Sequence, residues 1–173
     1  MLKQLLAPAL LLAAAASAQV APLQVDSPWA RPTVPGQPTA GAYMTFRASA
    51  PLTLLGASTP QAGTVEMHEM KMEGQVMRMR AVETVALLPG QPLRFTPGGY
   101  HFMLMDLKAP FQAGTRFPMT LRFRDAGGQV KTLELSVPVT ATAPAGAQAP
   151  GAHGAHAPGA HAPGAHAPGA HAH

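Results

Sequence analysis

The chain has 173 residues and carries twelve Lys or Arg against eight Asp or Glu, a formal charge of +4 that becomes +3 (eleven against eight) if Lys3 leaves with an N-terminal leader. It contains no cysteine, which excludes disulfides, iron–sulfur clusters, covalently attached c-type haem and the usual cysteine-bearing blue-copper site. Any metal must be held by His, Met, carboxylate or backbone, and the scattered basic residues form no aromatic-interleaved run of the kind that binds nucleic acid.

Met1-Leu2-Lys3 gives a short positive start, Leu5 to Ala16 an apolar run, and Ala16-Ser17-Ala18 a small-x-small cleavage site. Together they predict a signal peptide over 1–18, export to a periplasmic or other extracytoplasmic compartment, and a mature chain beginning near Gln19. The apolar run is well short of the roughly 20 residues a spanning helix needs, so no membrane span is expected after cleavage. No cysteine follows the run, which excludes a lipid-modified one.

The body, over 19–140, is long enough for one core and too short for two. Short apolar runs recur along it, separated by Pro and Gly: AYMTFRA (42–48), LTLLGAS (52–58), TVEMHEM (64–70), QVMRMRAV (75–82), QPLRF (91–95), YHFMLMDL (100–107), FPMTLRFRD (117–125) and VKTLELSVPV (130–139). The intervening prolines leave no room for a long helix. Short strands at this spacing predict an all-β antiparallel sandwich or barrel. Glu73-Gly74 is expected to turn a hairpin between the third and fourth runs. Arg116, Arg122 and Arg124 read as a solvated strand face rather than a binding patch.

From about residue 141 the sequence reduces to Ala, Pro, Gly and His, and a five-residue unit sets His156, His161, His166 and His171 in register, flanked by His153 and His173. Such a segment has almost nothing to bury, and a disordered tail over 141–173 is expected. Flexible imidazoles of this kind suit Cu(II), which makes the six tail histidines a candidate second metal site.

Beyond Met1 there are nine methionines, and seven of them (Met67, Met70, Met72, Met77, Met79, Met103 and Met105) fall in the two segments that also hold the only body histidines, His68 and His101. On a strand His101, Met103 and Met105 share one face, while Phe102 and Leu104 share the other. Methionine that merely filled gaps would not track histidine. Thioether sulfur is soft, neutral and unable to titrate, so a His/Met cluster points to Cu(I) rather than zinc. His68-Glu69 begins like a zinc-protease motif, but position 72 is methionine where a second histidine is required, and no nucleophile with a histidine partner is evident, so an enzyme is not expected.

Ten residues separate His68 from Met79, twenty-one separate Met79 from His101, and one separates His101 from Met103. This H-x10-M-x21-H-x-M spacing resembles the signature of the periplasmic copper-chaperone family PCuAC. The flanking runs WARPT (29–33), GAYMTF (41–46), VEMHEM (65–70), GQVMRMR (74–80) and PGGYHFMLMDLK (97–108) agree with it, over about 23–139, whereas FRASAPLT (46–53) departs from the family's usual turn. The resemblance implies a cupredoxin-like Greek-key barrel or sandwich and Cu(I) ligation by His68, Met79, His101 and Met103. It further implies delivery to the dinuclear copper centre of the copper-binding subunit of cytochrome c oxidase, alongside a thioredoxin-like copper assembly protein, and a Cu(II)-binding role for the tail. Gly98-Gly99 would then shape the approach, and Met67, Met70, Met72, Met77 and Met105 would pack or shield. The competing expectations are a protein that only sequesters copper and a plain adaptor whose tail alone binds metal.

Overall fold

The structure, a computed structural model, describes residues 22–145 and residue 147. The expected leader over 1–18 and the tail histidines His153, His156, His161, His166, His171 and His173 lie outside the described residues. Every regular element within them is a strand: β1 (Leu23–Ala30), β2 (Thr39–Ala48), β3 (Leu52–Ser58), β4 (Ala62–Glu73), β5 (Val76–Val82), β6 (Val85–Leu87), β7 (Leu93–Phe95), β8 (Tyr100–Leu107), β9 (Arg116–Arg124) and β10 (Val130–Pro138).

These strands form two sheets, one ordered β1-β2-β7-β8-β4-β5 and the other β10-β9-β3-β6. The all-β expectation is borne out, and the alternative between barrel and sandwich resolves as an open sandwich. Alternation explains why. Along β9, Phe117, Met119, Leu121 and Phe123 are buried while Arg116, Pro118, Arg122 and Arg124 are exposed, a period of two with one face inside. From the opposing sheet come Phe46, Phe95, Phe102 and Leu104, each essentially inaccessible. Phe95 sits 5.0 Å from Phe46 and 4.9 Å from Phe102 between ring centroids, giving the core an aromatic centre.

Two strands escape the sequence pattern. β6 is only three residues long, and β1 is interrupted by a bulge between Asp26 and Trp29, where Ser27 takes φ of +48° and Pro28 follows. Proline donates no ladder bond, so an edge strand accommodates it at a bulge. The extra residue lets Trp29 pair with Tyr43 and face away from the core, while Leu23, Val25 and Ala30 face into it.

The chain beyond Thr140 does not leave the body at once. Thr140 donates its N–H to the Ala30 carbonyl at 2.9 Å, and Ala143 and Ala147 pack against Trp29 and Tyr43. The segment assigned from sequence to the tail therefore starts as a cover on the outer face of the six-stranded sheet.

Candidate metal centre

That outer face carries the candidate ligands. In the β4–β8 ladder His68 lies directly opposite His101 and Glu66 opposite Met103; in the β4–β5 ladder Met70 lies opposite Met79. Residues directly opposite in an antiparallel pair share a face, and so do alternate residues along one strand. Glu66, His68, Met70, Met79, His101 and Met103 thus occupy one side of the sheet, and Met67, Phe102 and Leu104 the core side. The register comes from the turn at Gly74-Gln75, closed by the pair Glu73–Val76. A slip of one residue would turn Met79 away from the histidines.

The two imidazoles are held differently. His101 is buried, 6% exposed, and its Nδ1 donates to the Gly99 carbonyl at 3.1 Å, which leaves the lone pair on Nε2. Burial pushes the His101 pKa below the ordinary imidazole value, with neighbouring His68 adding to the effect and the Gly99 bond opposing it. The ring is therefore neutral at neutral pH, the form that binds metal. His68 donates from Nε2 to the Glu66 carboxylate at 2.8 Å, and its Nδ1 is buried without a partner. A buried nitrogen lone pair without a donor costs free energy unless something satisfies it, and a metal ion would. The ring centroids are 5.7 Å apart.

A turn positions His101. Gly99 donates to the Thr96 carbonyl at 3.0 Å, with Pro97 and Gly98 between them and Gly98 at φ of +85°, the pattern of a type II turn. The Gly99 carbonyl, so fixed, accepts from both His101 Nδ1 and the Met70 backbone N–H. Gly98-Gly99 shapes the approach, as expected, by orienting one imidazole and tying β4 to the turn.

An open cleft of about 360 Å³ adjoins the histidine pair, and Met70, Met79, His101 and Met103 line it. His68 does not line this cleft but sits beside it, opposite His101. Tyr43 and Arg31 also line it. Tyr43 stands 6.4 Å from the His101 ring and 4.7 Å from Trp29, and Arg31 lies 6.0 Å from both the tyrosine and tryptophan rings. A Cβ on Gly41, which faces Met103 across the ladder, would come within 2.4 Å of the Tyr43 hydroxyl, so this close approach requires glycine. Burial raises the Tyr43 pKa and Arg31 partly offsets it.

The four residues named from the spacing, two imidazoles and two thioethers, lie on this one face of the sheet. Among the other methionines, Met67 is a core residue, 3% exposed. Met70 lines the cleft, and Met72 and Met77 are 54% and 48% exposed, so the latter two do not pack as expected. Sequence reasoning missed Glu66, although its i, i+2 spacing from His68 puts both on one strand face. It also assigned no role to Trp29, Arg31 and Tyr43, whose meeting depends on the bulge in β1.

The family model described as "Putative lipoprotein LpqE-like" matches residues 23–152. The chain belongs to this LpqE-like family, the PCuAC family. A "Putative lipoprotein Lxx21020" from Leifsonia xyli subsp. xyli (strain CTCB07) is 31% identical over 118 residues, 68% of this chain and 69% of that protein. The Cu(I) form of DR1885 from Deinococcus radiodurans superposes with a TM-score of 0.52 at 28% identity, over 72% of this chain and 83% of that one. The copper-bound PCuAC domain of PmoF2 shares the fold, with a TM-score of 0.57 at 24% identity over 71% and 96% of the two chains. For a PCuAC chain, then, the two-sheet sandwich is the family's cupredoxin-like architecture.

Proposed function

We propose that this protein is an exported Cu(I) carrier, which takes the ion between His68, Met79, His101 and Met103 and surrenders it to an acceptor. The observation that carries this reading is the convergence on one sheet face of two imidazoles, each left with one lone pair by its own hydrogen bond, and two thioethers. Two nitrogens and two neutral sulfurs suit a soft monovalent ion, and the Glu66 carboxylate on this face is bonded to His68. The copper named for DR1885 and PmoF2 supports the same cargo. A site without thiolate binds less tightly than one with it, which favours release.

The acceptor in this reading is the dinuclear copper centre of the copper-binding subunit of cytochrome c oxidase, with a thioredoxin-like assembly protein keeping that subunit's thiols reduced. The tail histidines His153, His156, His161, His166, His171 and His173 are proposed to hold Cu(II), separately from the body site. The protein binds and transfers rather than catalyses.

Anaerobic Cu(I) titration against a chromophoric competitor, followed by mixing with the apo copper domain of the oxidase subunit, tests it. One strongly held Cu(I) in a chain truncated after residue 147, which keeps the cover on Trp29 and Tyr43, and its movement to the acceptor are expected. Tight binding without movement would instead leave a copper store. Loss of Cu(I) binding on truncation would leave the tail as the metal site and remove the body centre.

A further inference from the structure

The β4–β5 hairpin runs past the rest of its sheet. The last pair between β4 and β8 is Glu69–Tyr100, whereas the β4–β5 ladder continues through Met70–Met79, Lys71–Arg78, Met72–Met77 and Glu73–Val76. The projecting arm sorts its side chains completely. One face holds Lys71, Arg78 and Glu73, with Glu73 paired to Arg78 at 2.9 Å and also to Arg80. The other holds four methionines in two successive rungs, directly continuous with the His68–His101 rung.

Packing does not explain these thioethers. Met72, Met77 and Met79 are 54%, 48% and 46% exposed, so they forgo the stabilisation that burial gives a side chain of this size. Opposite residues in such a rung have Cβ atoms about 4.5–5.5 Å apart, close enough for two flexible thioethers to close on one ion. With every charged side chain of the arm on the opposite face, a hard ion finds no side-chain oxygen between Met72 and Met77, whereas a soft one finds two sulfurs.

We propose that Met72 and Met77 form a second, weaker site for a soft monovalent ion, Cu(I) or its analogue Ag(I), joined to the metal centre by the Met70–Met79 rung that already lines the cleft. The proposal rests on the copper reading of that centre. An ion taken up at the exposed tip lies one methionine rung from the His101 cleft, and each step trades one thioether for another without a proton. The site loads after the centre does and exchanges its ion faster, because it offers two neutral ligands instead of four.

The full-length protein, labelled with 13C at the methionine methyls, is titrated with Ag(I) in the absence of chloride. Methyl signals resolve each methionine whatever the tail histidines bind, and M72L and M77L assign the tip pair. The Met79 and Met103 methyls should move with the first ion in the body, and those of Met72 and Met77 should move together only afterwards, in fast exchange. M72L should raise the midpoint of the Met77 shift about tenfold, the loss of one of two ligands, and leave the first event unchanged. Methyls of Met72 and Met77 that stay fixed in excess Ag(I) while Met79 and Met103 respond would overturn the second site and spare the centre. A Met77 midpoint indifferent to M72L, or equal shifts with Zn(II), would overturn it as well. Response at Met72 and Met77 with none at Met79 and Met103 would leave the tip site standing and sink the copper reading of the centre.

Discussion

Thioethers contribute to the centre through their sulfur and little else, and this makes their removal a clean experiment. Leucine nearly conserves the volume of methionine, and Met79 is already half in water. Met79→Leu and Met103→Leu are expected to fold as the parent does and to lose at least about tenfold in Cu(I) affinity, on the order of 1.4 kcal/mol. Competition titration measures the loss and a thermal melt checks the fold; wild-type affinity in both variants would remove the two sulfurs from the ligand set. His101 predicts the pH dependence. Its pKa is depressed in the folded chain, so its contribution to stability is present above the ordinary value of 6.5 and is lost as pH falls through the folded value. Cu(I) affinity should follow the same sense, level above 6.5 and declining below it as protons compete for Nε2. A decline that is complete before pH reaches 6.5 would show that His101 is not the group involved.

At the scale of elements, the turn before β8 is where a backbone change reaches the metal site without touching a ligand. Gly98→Ala must hold φ of +85° with a Cβ in place, at a cost of about 1–2 kcal/mol. Relief of that strain would move the Gly99 carbonyl and with it the His101 ring. The variant should therefore lose both thermal stability and copper affinity. An affinity unchanged beside a lowered Tm would mean that the carbonyl does not orient the imidazole. The same element shows what a sequence reveals. β3 and β8 have the bounds that alternation and flanking turn residues predict, over 52–58 and 100–107. β1 was not legible, because Pro28 and the bulged Ser27 break the alternation that marks a strand. The hairpin was expected one residue early, at Glu73-Gly74 rather than Gly74-Gln75. The side-by-side placement of Met70 and Met79 follows from that register alone, which no local pattern specifies.

For the molecule as a whole, the sandwich is a rigid backing for a site built on its outside. Phe102 is fully buried against Phe46 and Phe95, and its chain neighbours are His101 and Met103. Phe102→Ala is expected to cost about 3–5 kcal/mol, read as a fall in unfolding free energy by denaturant titration. A cost under about 1 kcal/mol, the size of a surface effect, would show that the aromatic centre does not hold the sheets together. The four candidate ligands were named from the spacing of a resembling family, but the residues that surround them were not, since Trp29, Tyr43 and Ala147 meet only after the two ends of the body have folded together.

That meeting gives the protein a built-in optical gauge. Trp29 is the single tryptophan of the chain, its indole N–H is buried without a partner, and the Tyr43 ring lies 4.7 Å from it and 6.4 Å from the His101 ring. All of the indole emission therefore originates on the shoulder of the face that carries the candidate centre. Filling or emptying of the centre, or lifting of Ala143 and Ala147 from Trp29 and Tyr43, can be followed from the native chain's own fluorescence, with no label attached.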